Sequence, residues 1–212
     1  MMGKAVSERT PPAAAPVRTA TIAMAQLILV KHASPQITPD VASPRWVLSA
    51  EGRERCAWLA DRLGEQGVTA LYSSLEPKAL ETAALVAVRL GLEVRPRADL
   101  HENDRTGLAF GSVEDLHARI RRFFEAPSDA EMGNETAERA LARFEAAVRA
   151  VVAEAPGGTA AVIAHGTVLT LLVSRYNRIA PFAFWNGLTL PSYVVLDGAD
   201  FSLSGTANNY PG

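Results

Sequence analysis

Residues 26–33 read Gln26-Leu27-Ile28-Leu29-Val30-Lys31-His32-Ala33: four large aliphatic side chains in a row, then a lysine and a histidine. An apolar run this short, without polar alternation, is the pattern of a strand buried on both faces, as in parallel sheets covered by helices. The stretch Ala160-Ala161-Val162-Ile163-Ala164-His165-Gly166 has the same form. Two buried strands therefore each end in a histidine, and around them short β-rich runs alternate with longer helical ones. That alternation predicts an α/β fold of three layers, α/β/α, with helices on both faces of a mostly parallel central sheet.

Outward from the first strand, Ser49 can cap a helix whose apolar positions Cys56, Leu59, Ala60 and Leu63 recur at helical spacing and which stops near Gly64 or Gly67. Residues 68–72 read as a second strand, Pro77 opens a helix that Gly91 closes, and 92–95 make a short third strand. Residues 103–134 look irregular apart from one helix at about 113–124, and predict a small insertion covering the site as a lid. Further helices are expected over 135–154 and 167–176. The turn Asp197-Gly198-Ala199-Asp200, between 193–196 and 201–204, predicts a hairpin adding antiparallel strands at one edge. Residues 1–23, rich in Ala, Pro, Thr and Arg, predict a disordered tail and leave 24–212 as one domain, with Met24 a candidate start for it.

Composition narrows the function. The chain of 212 residues is 48% apolar and 21% charged, enough for one core without a structural metal or disulfide. Its 23 acidic and 21 basic side chains give a net charge of −2 with no long run of one sign, so nucleic acid is not an expected partner. The apolar-leaning stretch at 20–30 is shorter than the ~20 residues of a helical membrane span, and no membrane partner is expected. Cys56 is the lone cysteine, which fits a reducing, cytoplasmic compartment.

Ligands of open α/β sheets sit at the carboxyl ends of the strands, so His32 and His165 are expected in one crevice. Lys31 adjoins the first, and Lys78 opens the helix after the second strand at the same edge. Singly, such a histidine is more often structural and such a lysine more often solvated. Together they suit a phosphoryl group, with a neutral imidazole attacking phosphorus and cations neutralising the remaining oxygens. The leaving oxygen then needs a proton, for which Glu102 is the candidate acid, with Asp99 and Asp104 as rivals. The four histidines, at 32, 101, 117 and 165, offer no HExxH zinc spacing, and no GxSxG serine motif occurs.

Lys31-His32-Ala33, Ser73-Ser74 through Lys78-Ala79 to Glu81-Thr82-Ala83, Leu100-His101-Glu102 and Ala164-His165-Gly166 resemble, in order, the four motifs of the histidine phosphatase superfamily, the phosphoglycerate mutase-like fold. The likeness runs from about 26 to 198 and includes Leu48-Ser49-Ala50-Glu51-Gly52 and Gly133-Asn134-Glu135-Thr136. It implies hydrolysis of a small phosphomonoester without metal or other cofactor. His32 would be the nucleophile that becomes phosphorylated and Glu102 the acid and later the base, while His165, Lys31 and Lys78 hold the phosphoryl oxygens. His32 should then donate its other ring nitrogen to a backbone carbonyl.

The chain departs from the family pattern in having lysine where both motif arginines stand, and Ala33 in place of glycine. A lysine is a mobile point charge where arginine offers a planar fork, and Glu76 is placed to compete with substrate for Lys78. Two alternatives follow: a weakened member that binds a phosphorylated ligand or partner without turnover, and a mutase moving phosphate within one molecule. Trp46, His101, Arg105 and Trp185 are candidates to shape the substrate pocket, and a homodimer is compatible with the sequence.

Overall fold

Parity along the first strand, β1 (Gln26–Lys31), divides the core in two. Leu27 and Leu29 belong to one buried cluster, Ile28 and Val30 to the other, because successive side chains of a strand point to opposite faces. The strand ending in Ala164 does the same, Ala160 and Val162 facing one way and Ala161 and Ile163 the other. The computed structural model describes residues 26–108, 111–130 and 133–211, so the readings on the tail and on Met24 fall outside the described residues.

The remaining strands are β2 (Val68–Ser74), β3 (Val94–Arg97), β4 (Thr159–Ala164), β5 (Ser192–Asp197) and β6 (Asn208–Asn209). They form one sheet of order β3-β2-β4-β1-β5-β6. The first four in that order run parallel, while β5 and β6 add an antiparallel edge. On one face α1 (Ala50–Glu65) and α2 (Pro77–Leu90) bury Leu59, Leu63, Ala83 and Val86. On the other, α3 (Val113–Glu125), α4 (Ala137–Glu154) and α5 (Gly166–Tyr176) bury Phe123, Phe144, Val148 and Leu172. The expected three-layer α/β fold is what forms.

Local chemistry sets the boundaries. Ser49 Oγ accepts from Gly52 N at 3.0 Å to start α1, Ser112 and Asp115 make a reciprocal capping box on α3, and Gly91 ends α2 in the left-handed region at φ 66°. The same closure moves the third strand, because Leu92 N donates to Ala87 O at 3.1 Å and is still part of the helix end. β3 accordingly starts at Val94, two residues after the sequence expectation, and Pro96 fits because the strand lies at the sheet edge. The expected hairpin is also corrected: after Asp197 the chain makes one isolated antiparallel bridge, Leu196 to Leu203, and the edge strand is Asn208–Asn209. A short helix, α6 (Pro181–Gly187), was not anticipated.

Candidate active site

Sheet register brings the two histidines together. β1 and β4 are neighbours with Lys31 opposite Ala164, and His32 N donates to Ala164 O at 3.1 Å. One residue further, His32 and His165 lie side by side, ring centroids 5.2 Å apart, and both are buried. β2 flanks β4 on its other side, which sets Ser74 Oγ 2.9 Å from His165 Nε2.

His32 Nδ1 lies 2.7 Å from the carbonyl oxygen of Ala33. A carbonyl only accepts, so Nδ1 carries the hydrogen and Nε2 keeps its lone pair. Burial, then the neighbouring His165 and Lys78, hold the imidazole well below the usual histidine range, so it is neutral near pH 7. Behind it, Ala33 N donates to Thr82 Oγ1, which donates to Lys78 O. Ala33 has ordinary backbone geometry, since Phe201 is the one non-glycine residue with positive φ among the described residues. The glycine of the family pattern is not needed here for backbone freedom. Gly52 is needed for space: a Cβ there would stand 2.1 Å from Ser34 O, in the loop that follows His32.

Lys31 Nζ donates to Leu188 O at 2.9 Å and lies 5.9 Å from the centroid of the Trp185 ring. Burial brings its ammonium down to about 8, against the opposite pull of Glu102. Lys78 Nζ donates to Ser43 O at 2.8 Å and forms a buried ion pair with Glu76. An ammonium has three donors and no acceptor, so these contacts leave Lys31 two and Lys78 one.

Glu102 lies at the start of α5, where its two carboxylate oxygens accept from Thr167 N and Val168 N, each at 3.1 Å. Unpaired N–H groups and the helix dipole favour an anion there. Burial opposes its ionisation, but Arg105, His165 and the Thr167 N–H outweigh burial and hold the carboxyl below its ordinary range. Arg105 Nη2 is 3.3 Å from Glu102 Oε2. Of the rival acids, Asp104 accepts from Thr106 N in its own turn, and neither Asp99 nor Asp104 lines the cavity.

Sequence reasoning missed Arg143 of α4. It donates to Asp99 O, His101 O and Glu102 O and pairs with Glu135, fastening the loop that presents Glu102. An arginine within a helix carries no signal of such a task in the sequence.

Lys31, His32, Lys78, Glu102 and His165 all line one cavity of about 470 Å³. Beyond them it is lined by Val41, Trp46, Leu108, Leu116, Arg119 and Trp185. Three of the four candidates for shaping the pocket, Trp46, Arg105 and Trp185, line it. His101 does not; its Nδ1 lies 2.8 Å from Ala98 O instead.

Two adjacent histidines at the carboxyl ends of parallel strands thus share one cavity with two lysines and a carboxylate. The profile of the histidine phosphatase superfamily (branch 1) matches residues 27–201, and the chain belongs to that family. Phosphoglycerate mutase-like protein 4 of Arabidopsis thaliana is 29% identical over 144 residues, 64% of this chain; the chain spans 61% of that protein's length in the match. Among solved structures, the native mycobacterial glucosyl-3-phosphoglycerate phosphatase superposes with a TM-score of 0.71 at 20% identity, covering 87% of this chain and 99% of that one. Bacillus stearothermophilus YhfR superposes at 0.70 and 21% identity, covering 85% and 95%. These superpositions bear on the fold. Among the described residues, no helix is long and apolar enough to cross a membrane.

Proposed function

We propose that the protein is a metal-independent phosphatase that hydrolyses a small phosphomonoester through a phosphohistidine on His32. The observation that carries the reading is the His32 ring, with its Nδ1 proton committed to Ala33 O, set 5.2 Å from His165 in a cavity shared with Lys31, Lys78 and Glu102. His32 Nε2 attacks phosphorus with its lone pair, the phosphorus–ester oxygen bond breaks, and protonated Glu102 gives its proton to the departing oxygen. Lys31, Lys78 and His165 hold the other oxygens and balance their charge. Water then attacks the phosphohistidine, Glu102 takes a proton from it, and inorganic phosphate leaves with the His32 lone pair restored.

Glu102 is ionised in the free site and must be protonated for the first step. An arriving phosphate dianion adds negative charge beside the carboxyl and competes for Arg105, and both effects raise the carboxyl's affinity for a proton.

Turnover of an aryl phosphate in the presence of a chelator, with His32→Ala run alongside, tests this reading. A wild type that releases phosphate and forms an acid-labile, base-stable phosphoprotein, with both lost in His32→Ala, supports it. Equal inactivity of the two proteins refutes it and favours a binding protein, the reading that the Glu76 partner of Lys78 recommends. Transfer of the phosphate to a second hydroxyl of the same substrate, rather than to water, would make it a mutase.

A further inference from the structure

Glu76 puts a carboxylate at the edge of a site built for an anion, and every polar atom of it is engaged. The residue is 9% exposed. Oε2 pairs with Lys78 Nζ, while Oε1 accepts from Glu102 N at 2.8 Å and lies 3.4 Å from His165 Nε2. Its backbone N donates to Ser74 Oγ, the hydroxyl that also contacts His165 Nε2 at 2.9 Å. The other ring nitrogen, His165 Nδ1, is buried with no hydrogen-bond partner among the described residues.

From this geometry we infer that Glu76 is a positioning residue: one carboxylate oxygen holds Lys78 in place, and the other keeps a proton on His165 Nε2, leaving Nδ1 to meet a phosphoryl oxygen. The first half answers the substitution of lysine for arginine. A guanidinium carries its geometry in its own plane, whereas an ammonium on a flexible stem takes whatever direction its partners impose. Glu76 and Ser43 O occupy two of the three Lys78 donors and fix where the third points.

The second half concerns charge on His165. An imidazole donates from both nitrogens only as the cation. In the free site burial, then Lys78, Arg105 and His101, hold the ring well below the usual histidine range against the pull of Glu102, with His32 on one side of it and the Glu76 carboxylate on another. A dianion bound at Nδ1 with Glu76 at Nε2 would sandwich the ring between two acceptors and stabilise the imidazolium.

The opposite role, a carboxylate that merely masks Lys78 from substrate, predicts the opposite sign in kinetics. The kinetic half of the test rests on the phosphatase reading; the spectroscopic half does not. Glu76→Gln keeps the shape and removes the charge. Its kcat on an aryl phosphate should fall about tenfold or more, a typical cost for losing an outer partner of a working histidine, with KM unchanged or lower. In protein with ¹⁵N-labelled histidines and orthovanadate at near-neutral pH, His165 should be doubly protonated in the wild type and neutral in Glu76→Gln. A kcat retained within about threefold, or raised, overturns the proposal. So does a neutral His165 in the wild-type vanadate complex, a result that needs no folded variant. A wild type that turns over nothing yet protonates His165 on vanadate only when Glu76 is present refutes hydrolysis and leaves Glu76 in its role. A wild type that binds no vanadate overturns both.

Discussion

Replacing Lys78 with methionine should destabilise the fold far more than an exposed lysine would. The Lys78 and Glu76 side chains are 6% and 10% exposed, so Lys78→Met strands a carboxylate in a place that water barely reaches. Breaking one side of a buried pair costs about 3–5 kcal/mol. For a chain of this size each kcal/mol is worth roughly 2–4 °C, which puts the expected fall in Tm at roughly 6–20 °C. Removing both charges relieves most of this, because the attraction within a buried pair roughly balances the cost of desolvating it. Lys78→Met with Glu76→Gln should therefore be more stable than Lys78→Met alone. Urea unfolding of the wild type, both single variants and the double variant gives the coupling directly. A Lys78→Met penalty under about 1 kcal/mol, or a double variant that loses the sum of the two singles, refutes the reasoning.

Four other outcomes are expected. Lys31 is lowered to about 8, so the free site loses this cation as pH rises through that value. The kcat/KM profile should fall on an alkaline limb near pH 8 that Lys31→Arg removes, and a wild-type profile flat to about pH 10 would count against it. Between about 8 and the ordinary lysine value of 10.5 the unfolded chain binds the extra proton, so this group makes stability rise with pH, measurable by denaturant unfolding across that window. Gly52→Ala should cost about 1–3 kcal/mol in urea unfolding and lower kcat, because its Cβ would meet Ser34 O two residues beyond His32; a loss under about 0.5 kcal/mol would show that the close approach relaxes freely. Arg143→Met frees the Glu102 loop and should lower kcat about tenfold while leaving the vanadate affinity of the site nearly unchanged; a selective loss of vanadate binding would place Arg143 in the phosphate contacts instead.

What was legible in the sequence was whatever depends on local pattern. The two apolar runs ending in His32 and His165 specified buried parallel strands, and Ser49, Pro77 and Gly91 marked helix boundaries where the structure has them. The strand ending at Ser74 was read two residues short because its last residues are serines, whose burial depends on neighbouring strands rather than on their own polarity. The return after Asp197 was read as a hairpin because turn chemistry announces a reversal but not how long the pairing lasts. α6 carries no such signal because its aromatic residues show no periodicity over about two turns.

At the site, the residue types and the strand ends were visible, since both follow from chain order. The partners were not. That Lys31 would bond Leu188 O, that Glu76 would grip Lys78, or that Arg143 would reach three loop carbonyls depends on contacts across distant parts of the chain. Glu76 did leave a trace, as a charge in the wrong place, but its second contact on His165 could come only from the assembled sheet.

The residues that line the cavity are tethered unequally. The segment containing Ser43 is bonded to the Lys78 ammonium, so anything that moves this segment redirects the remaining donor of Lys78. Leu116 and Arg119 stand on α3, and among the described residues the partners that hold Lys31, His32, Lys78 and His165 are Leu188, Ala33, Ser43, Glu76 and Ser74, on other segments. If the phosphatase reading holds, a redesign aimed at a new leaving group has its tolerant positions at Leu116 and Arg119: exchanging these two side chains, while Ile120 and Phe123 keep α3 seated in the core, would retailor selectivity and leave the strand-borne histidines aligned.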